Sequence, residues 1–111
     1  MISLRQKELS EWQKRNFGEH DDDILRVALG MAEEVGETCH QILKGVQKIR
    51  DGYAGIGTDE AADGVADTMI YGIQLLSLLN VNAEQVLSDT IEKILARDWK
   101  KDPVSGGTKI K

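Results

Sequence analysis

Proline is nearly missing from this 111-residue chain: it occurs once, at position 103. Before that point no ring locks φ or removes a backbone donor, so nothing interrupts a helix ahead of the tail. Cysteine also occurs once, as Cys39, which excludes a disulfide within the chain and suits a reducing compartment. Cys39 reads as a small packing residue in mid-helix. Aromatic residues make up only 5% of the sequence, so few large side chains are left to anchor a core or line a pocket. No apolar run reaches membrane-spanning length and no leader pattern opens the chain, so a soluble, cytoplasmic protein without a membrane partner is expected. Basic residues are outnumbered, 14 against 19 acidic, for a net charge of −5. That sign disfavours a nucleic-acid polymer as partner. Length alone allows one domain with a modest core.

What the chain does have is acid in a pattern. Glu33, Glu37 and Glu34 fall in that order across an arc of about 100° on one helix. On the next predicted helix Asp63 and Asp67 lie about 40° apart, with Glu60 about 20° beyond Asp67. Val27 and Met31 share the face of Glu34, and Tyr71, Gln74 and Leu78 share the face of Asp67. The acids therefore continue stripes that are apolar elsewhere, and such stripes point toward a core. Carboxylates pushed inward need something positive among them, and few Lys or Arg stand at matching positions. A hard divalent cation, Mg²⁺ or Mn²⁺, meets that need with oxygen ligands. A solvated acidic face is the simpler competing explanation, and for Asp59 and Glu60, at a helix start, it is sufficient.

Taken in order, the pattern predicts four helices. The first runs from a Ser3 cap to about Asn16, with Leu4, Leu9 and Trp12 as apolar contacts and Gly18 after its end. Trp12 and Phe17 serve as anchors, or as an aromatic edge of a pocket. Asp21, Asp22 and Asp23 are expected to cap a long second helix from about Ile24 to Ile49. Its basic end, with Lys44 and Lys48, complements the helix terminus and offers cations to a polyphosphate. Residues 51–58 are a glycine-rich linker whose spacing fits no phosphate-binding loop. A third helix, from about Asp59 to Asn80 with Thr58 as cap, is apolar nearly all round and hence expected to be buried on every side. One chain cannot cover it, which predicts an oligomeric helical bundle. Asn82 and Gln85 form a capping box for a fourth helix reaching about Trp99. Residues 1–101 thus read as one helical domain and 102–111 as a flexible tail.

Glu33-Glu34-Val35-Gly36-Glu37, followed by Val65-Ala66-Asp67-Thr68-Met69-Ile70-Tyr71, resembles the MazG-like all-α nucleoside triphosphate pyrophosphohydrolases. That family's pattern is Glu-Glu-x-x-Glu and then Glu-x-x-Asp on the next helix. The likeness extends to Gln6 and Trp12 and to the stretch from Lys93 to Pro103, and so covers most of the chain. One departure is plain: the glutamate of Glu-x-x-Asp falls at Gly64, leaving Asp63 or Glu60 to replace it. The resemblance implies an all-α, four-helix MazG-like bundle completed as a homodimer or homotetramer. It implies cleavage of an NTP or dNTP between the α- and β-phosphates, giving the monophosphate and pyrophosphate, a reaction of nucleotide-pool cleaning. Glu34, Glu37, Asp63 and Asp67 would hold Mg²⁺, and Glu33 or Glu34 would orient or deprotonate the attacking water. Lys44 and Lys48 would meet outer phosphates, and Trp12 and Tyr71 the base.

Two rivals belong to other classes. Glu37-Thr38-Cys39-His40 is a Glu-x-x-His, the element of di-iron carboxylate bundles, but no second copy stands on the third helix. A non-catalytic helical interaction module would pair its acids with a basic partner and bind no metal. Within the family, a phosphoribosyl-ATP pyrophosphohydrolase shares the chemistry but not the resemblance at the chain's end.

Overall fold

The structure is a computed structural model of the chain and describes residues 2–107. Those residues form four α-helices and no strand: α1 (Ile2–Phe17), α2 (Asp23–Gln47), α3 (Thr58–Leu78) and α4 (Ala83–Leu95). The all-helical expectation holds. The helix ends differ from it in ways the hydrogen bonds explain.

Ser3 lies inside α1 rather than capping it, and the Asn82 side chain donates to its hydroxyl at 3.1 Å, tying α1 to the start of α4. At the head of α2, Asp22 occupies the cap position without a side-chain cap bond. Its carboxylate instead pairs with Arg26 at 2.8 Å, while Asp23 accepts the His20 backbone N–H at 2.8 Å. Helix α2 stops at Gln47 because Lys48 adopts the left-handed region, φ 55°, and donates its N–H to Lys44 O. Thr58 is the first helical residue of α3 and Gly57 its cap. Asn82 does cap α4, accepting the Gln85 N–H at 2.9 Å. Gln85 turns to Asp89 instead of back to Asn82, so only half of the expected box forms.

Helix α4 ends at Leu95, short of Trp99. Asp98 accepts the N–H groups of Lys100 and Lys101 at 3.1 Å, offering that backbone a turn in place of another helical step. Asp102 repeats the device on Val104 and Ser105, with the Ser105 hydroxyl at 2.8 Å. The segment expected to be a flexible tail therefore carries a set of bonded turns over 102–107; residues 108–111 of it lie outside the described residues.

Helix α3 is the central element. α2 runs antiparallel to it along most of its length, α1 lies on another side, and α1 and α2 do not meet. α4 bends 111° away from α3 and touches only α1 and α3. The close fit of α2 on α3 rests on glycine. A Cβ at Gly64 would come within 3.1 Å of the Thr38 Cβ, and one at Gly30 would press on the Tyr71 ring. Gln6, 8% exposed, clamps α1 to the connection between α3 and α4. Its amide donates to Val81 O at 2.9 Å and its carbonyl accepts the Ala83 N–H at 2.8 Å. Gln6→Ala strands both backbone groups, and chemical denaturation is expected to show a loss of about 1–3 kcal/mol.

Little of this chain is sealed from water. Val27 and Ala83 are the only buried hydrophobic side chains among the described residues. In keeping with the expectation that one chain cannot cover α3, its Val65 and Met69, and Leu79 just past its end, are exposed, because the single chain has no layer behind the α2–α3 pair. No single helix is long and apolar enough to cross a membrane.

Candidate functional site

Because α1 and α2 both flank α3 without meeting, a groove opens between them with α3 as its floor. Trp12 and Phe17 of α1 form one wall, Glu34 of α2 the other, and Asp67, Tyr71 and Gln74 of α3 the floor. This part of the groove encloses about 470 Å³, within the range of small-molecule sites. It continues past Gln74 into a second hollow of about 270 Å³ beside Lys14, His20 and Asp23. Helical period explains the placement: Asp67, Tyr71 and Gln74 follow at intervals of four and three, so one face of α3 presents all three.

Of the acids, Glu34 alone is partly buried; Glu33, Glu37, Asp63 and Asp67 are exposed. The expectation of several carboxylates pushed inward thus holds for one of them, since the open groove leaves the rest in water. Partial desolvation pushes the Glu34 carboxyl above its ordinary value, and the negative charges of Glu37, Asp67 and Glu33 push it the same way. None of the five acids has an ion-pair partner among the described residues. At the other end, Asp23 is held below the usual carboxylate range, chiefly by the His20 backbone N–H.

The chemistry of the donor set fits a hard divalent cation: oxygen only, unpaired and mutually repelling. Its placement fits less fully. Among the described residues no group of three or more His, Cys, Asp or Glu side chains is drawn close enough to hold a metal. Glu34 and Asp67 line one pocket, as its wall and floor; Glu37 and Glu33 act on Glu34 through their charges.

The remaining expected residues divide clearly. Trp12 and Tyr71 line the same pocket as the acid pair. Asp63 does not line it, and Glu60 folds its carboxylate back on Gly57 at the start of α3. Lys44 bonds Gln47 at 3.2 Å, and about 15 Å of helix separates it from Glu34. Lys48 is the residue that ends α2. Neither lysine lines the pocket. Gln13, Gln74 and the His20–Asp23 pair belong to the groove without having been marked as site residues. Only Gln74 carried a signal, as a polar residue on the acid face of an otherwise apolar helix.

At Gly64, where the family pattern has glutamate, an added side chain would run into the Thr38 side chain. Gly64→Ala is expected to cost about 1–3 kcal/mol by overpacking. Thr38→Ala should recover much of that loss in a double-mutant cycle read by thermal melts, since the Thr38 side chain is what the new Cβ meets. A glutamate at this position would meet the same obstruction, so the site cannot be restored to the family pattern by that change alone.

No family model matches the chain, and no curated protein or solved structure matches it.

Proposed function

We propose that this protein is a metal-dependent pyrophosphohydrolase of nucleoside triphosphates in the manner of the MazG-like family, acting in the groove between α1 and α2. A single observation supports the reading above the rest. Glu34 and Asp67, from two neighbouring helices, lie in one pocket with Trp12 and Tyr71, so acid and aromatic surfaces meet at nucleotide scale.

In this reading Glu34, Asp67 and Glu37 hold Mg²⁺, which would neutralise phosphate oxygens and make a bound water more acidic. Glu37, one helical turn from Glu34, would supply the third carboxylate. Asp63, one turn from Asp67 on α3, would be the remaining candidate ligand. Glu34, already raised in proton affinity, is suited to accept a proton from the attacking water, and Glu33 to orient it. Trp12 and Tyr71 offer flat apolar surface to the base. Lys44, about 15 Å further along α2 than Glu34, is left to the outer phosphates. Homodimer or homotetramer assembly belongs to the same reading.

The test is a panel of NTPs and dNTPs with Mg²⁺, scored for pyrophosphate against orthophosphate. Monophosphate plus pyrophosphate, lost on chelation, is the expected result. Orthophosphate as sole product, or turnover indifferent to chelation, overturns it. Calorimetric titration with Mg²⁺ separates the enzyme from a metal-free interaction module.

A further inference from the structure

Among the described residues two polar side chains are buried, and both are glutamines. Gln6 uses both ends of its amide on the backbone of the α3–α4 connection. Gln74 uses neither end. It is the one buried side chain of α3, 5% exposed, and its amide bonds no described residue. A group so placed is ordinarily matched, because an amide taken from water without a partner is costly. An aliphatic side chain of similar length would avoid that cost.

What is left open of Gln74 faces the groove. The residue lines both the 470 Å³ hollow that holds Trp12, Tyr71 and Asp67 and the 270 Å³ hollow beyond it. Gln13 of α1, half-buried, lines the same two hollows, and its side chain likewise makes no hydrogen bond. Two amides that border one space without bonding each other leave room between them for a ligand. Gln74 stands about 10 Å along α3 from Asp67 and three residues past Tyr71, on the face that floors the groove.

We propose that Gln74 reads the edge of the substrate's base, its amide donating to one group and its carbonyl accepting from the neighbouring one. This rests on the reading above, in which Asp67 holds the cation and Tyr71 meets the face of the base. A glutamine amide presents donor and acceptor side by side, which matches base edges where an N–H or amino group adjoins a ring nitrogen or carbonyl oxygen. The substrate class is then a nucleotide whose base keeps that edge intact. A base without it leaves the buried amide unmatched, and sites built on such a bond reject analogues that lack it. Tyr71 offers flat surface to any base, whereas Gln74 selects among edges. Gln13 is placed to bond the base from the α1 side.

The test leaves out both metal and phosphate, which separates recognition from hydrolysis. With chelator present, adenosine, guanosine, cytidine and uridine are titrated into the whole chain by calorimetry. Purine riboside and pyrimidin-2-one riboside, which keep the rings of adenosine and cytidine without their amino groups, are titrated beside them. At least one of the four is expected to bind about tenfold or more tightly than the stripped nucleosides. Q74M, close to glutamine in length and shape but without the amide, is expected to abolish that preference. It is also expected to melt at or above wild type without ligand, since it removes an unmatched buried group. An amide required by the fold gives the opposite shift. Absence of binding by all four, a preference that survives in Q74M, or a Q74M that melts lower or fails to fold overturns the proposal. Pyrophosphate release decides the hydrolase reading separately. A protein that binds nucleosides through Gln74 and cleaves no triphosphate keeps this inference and loses that reading; turnover with a base preference untouched by Q74M does the reverse.

Discussion

Replacing Glu34 by Gln is expected to reduce nucleotide turnover by about 10²- to 10⁴-fold while raising, not lowering, the melting temperature of the metal-free protein at pH 7. The two effects share one cause. Glu34 sits partly desolvated among Glu37, Asp67 and Glu33, so its proton is held more tightly in the folded chain than in the unfolded one. A carboxyl raised in this way favours folding while protonated, and that contribution is lost as pH rises through its folded value. At pH 7 the ionised Glu34 therefore opposes folding, and the neutral amide does not. Below the ordinary glutamate range the two proteins should converge in stability. Asp23 and Asp102 behave oppositely: both are lowered, so their contributions exist above the ordinary aspartate value and fade as pH falls below it. Thermal melts of wild type and variant from pH 4 to 8, with chelator and then with Mg²⁺, read the effect. Added Mg²⁺ should stabilise the wild type and not the variant. If the variant melts lower than wild type at pH 7 without metal, the repulsion assigned to this site is absent.

Gly45→Ala is expected to produce a marked loss of stability. Gly45 is buried near the end of α2, where the linker between α2 and α3 crosses it. An added Cβ would stand 2.6 Å from Gly55 O and 2.8 Å from the Ile56 Cα. Those are backbone atoms, which cannot step aside as a flexible side chain can. The gain in helix propensity from Gly to Ala, about 1 kcal/mol, offsets part of the overlap. A net loss of about 2 kcal/mol remains, which for a domain of this size lowers the melting temperature by about 10 °C. Turnover should fall less than stability, because the linker does not line the groove. If instead Gly45→Ala melts at or above wild type, the linker is free to lift from α2.

Both results bear on how far the sequence could be read. Period alone located all four helices, because their apolar and acidic stripes repeat near 3.6 residues and no proline interrupts them. Helix ends were less legible. Asp22 was the obvious cap, but Arg26 one turn on takes its carboxylate, and Asp98 and Asp102 divert the chain into turns where the apolar pattern ran on. Asp67 and Tyr71 were legible as one face of α3, whereas the meeting of Glu34 and Trp12 with them was only implied by the family resemblance. Which of the remaining acids and lysines join them was not legible.

By itself, then, the sequence determined helix content, the faces on which acids and aromatics stand, and the shortage of covalent or proline constraints. All three depend on spacing within one element, and a periodic backbone converts spacing into direction. Tertiary structure alone decided that α1 and α2 stand apart over α3 to make a groove, and that Gly64 is closed off by Thr38. Those outcomes depend on how one helix approaches another, which is set by side-chain volumes meeting across elements distant in the chain.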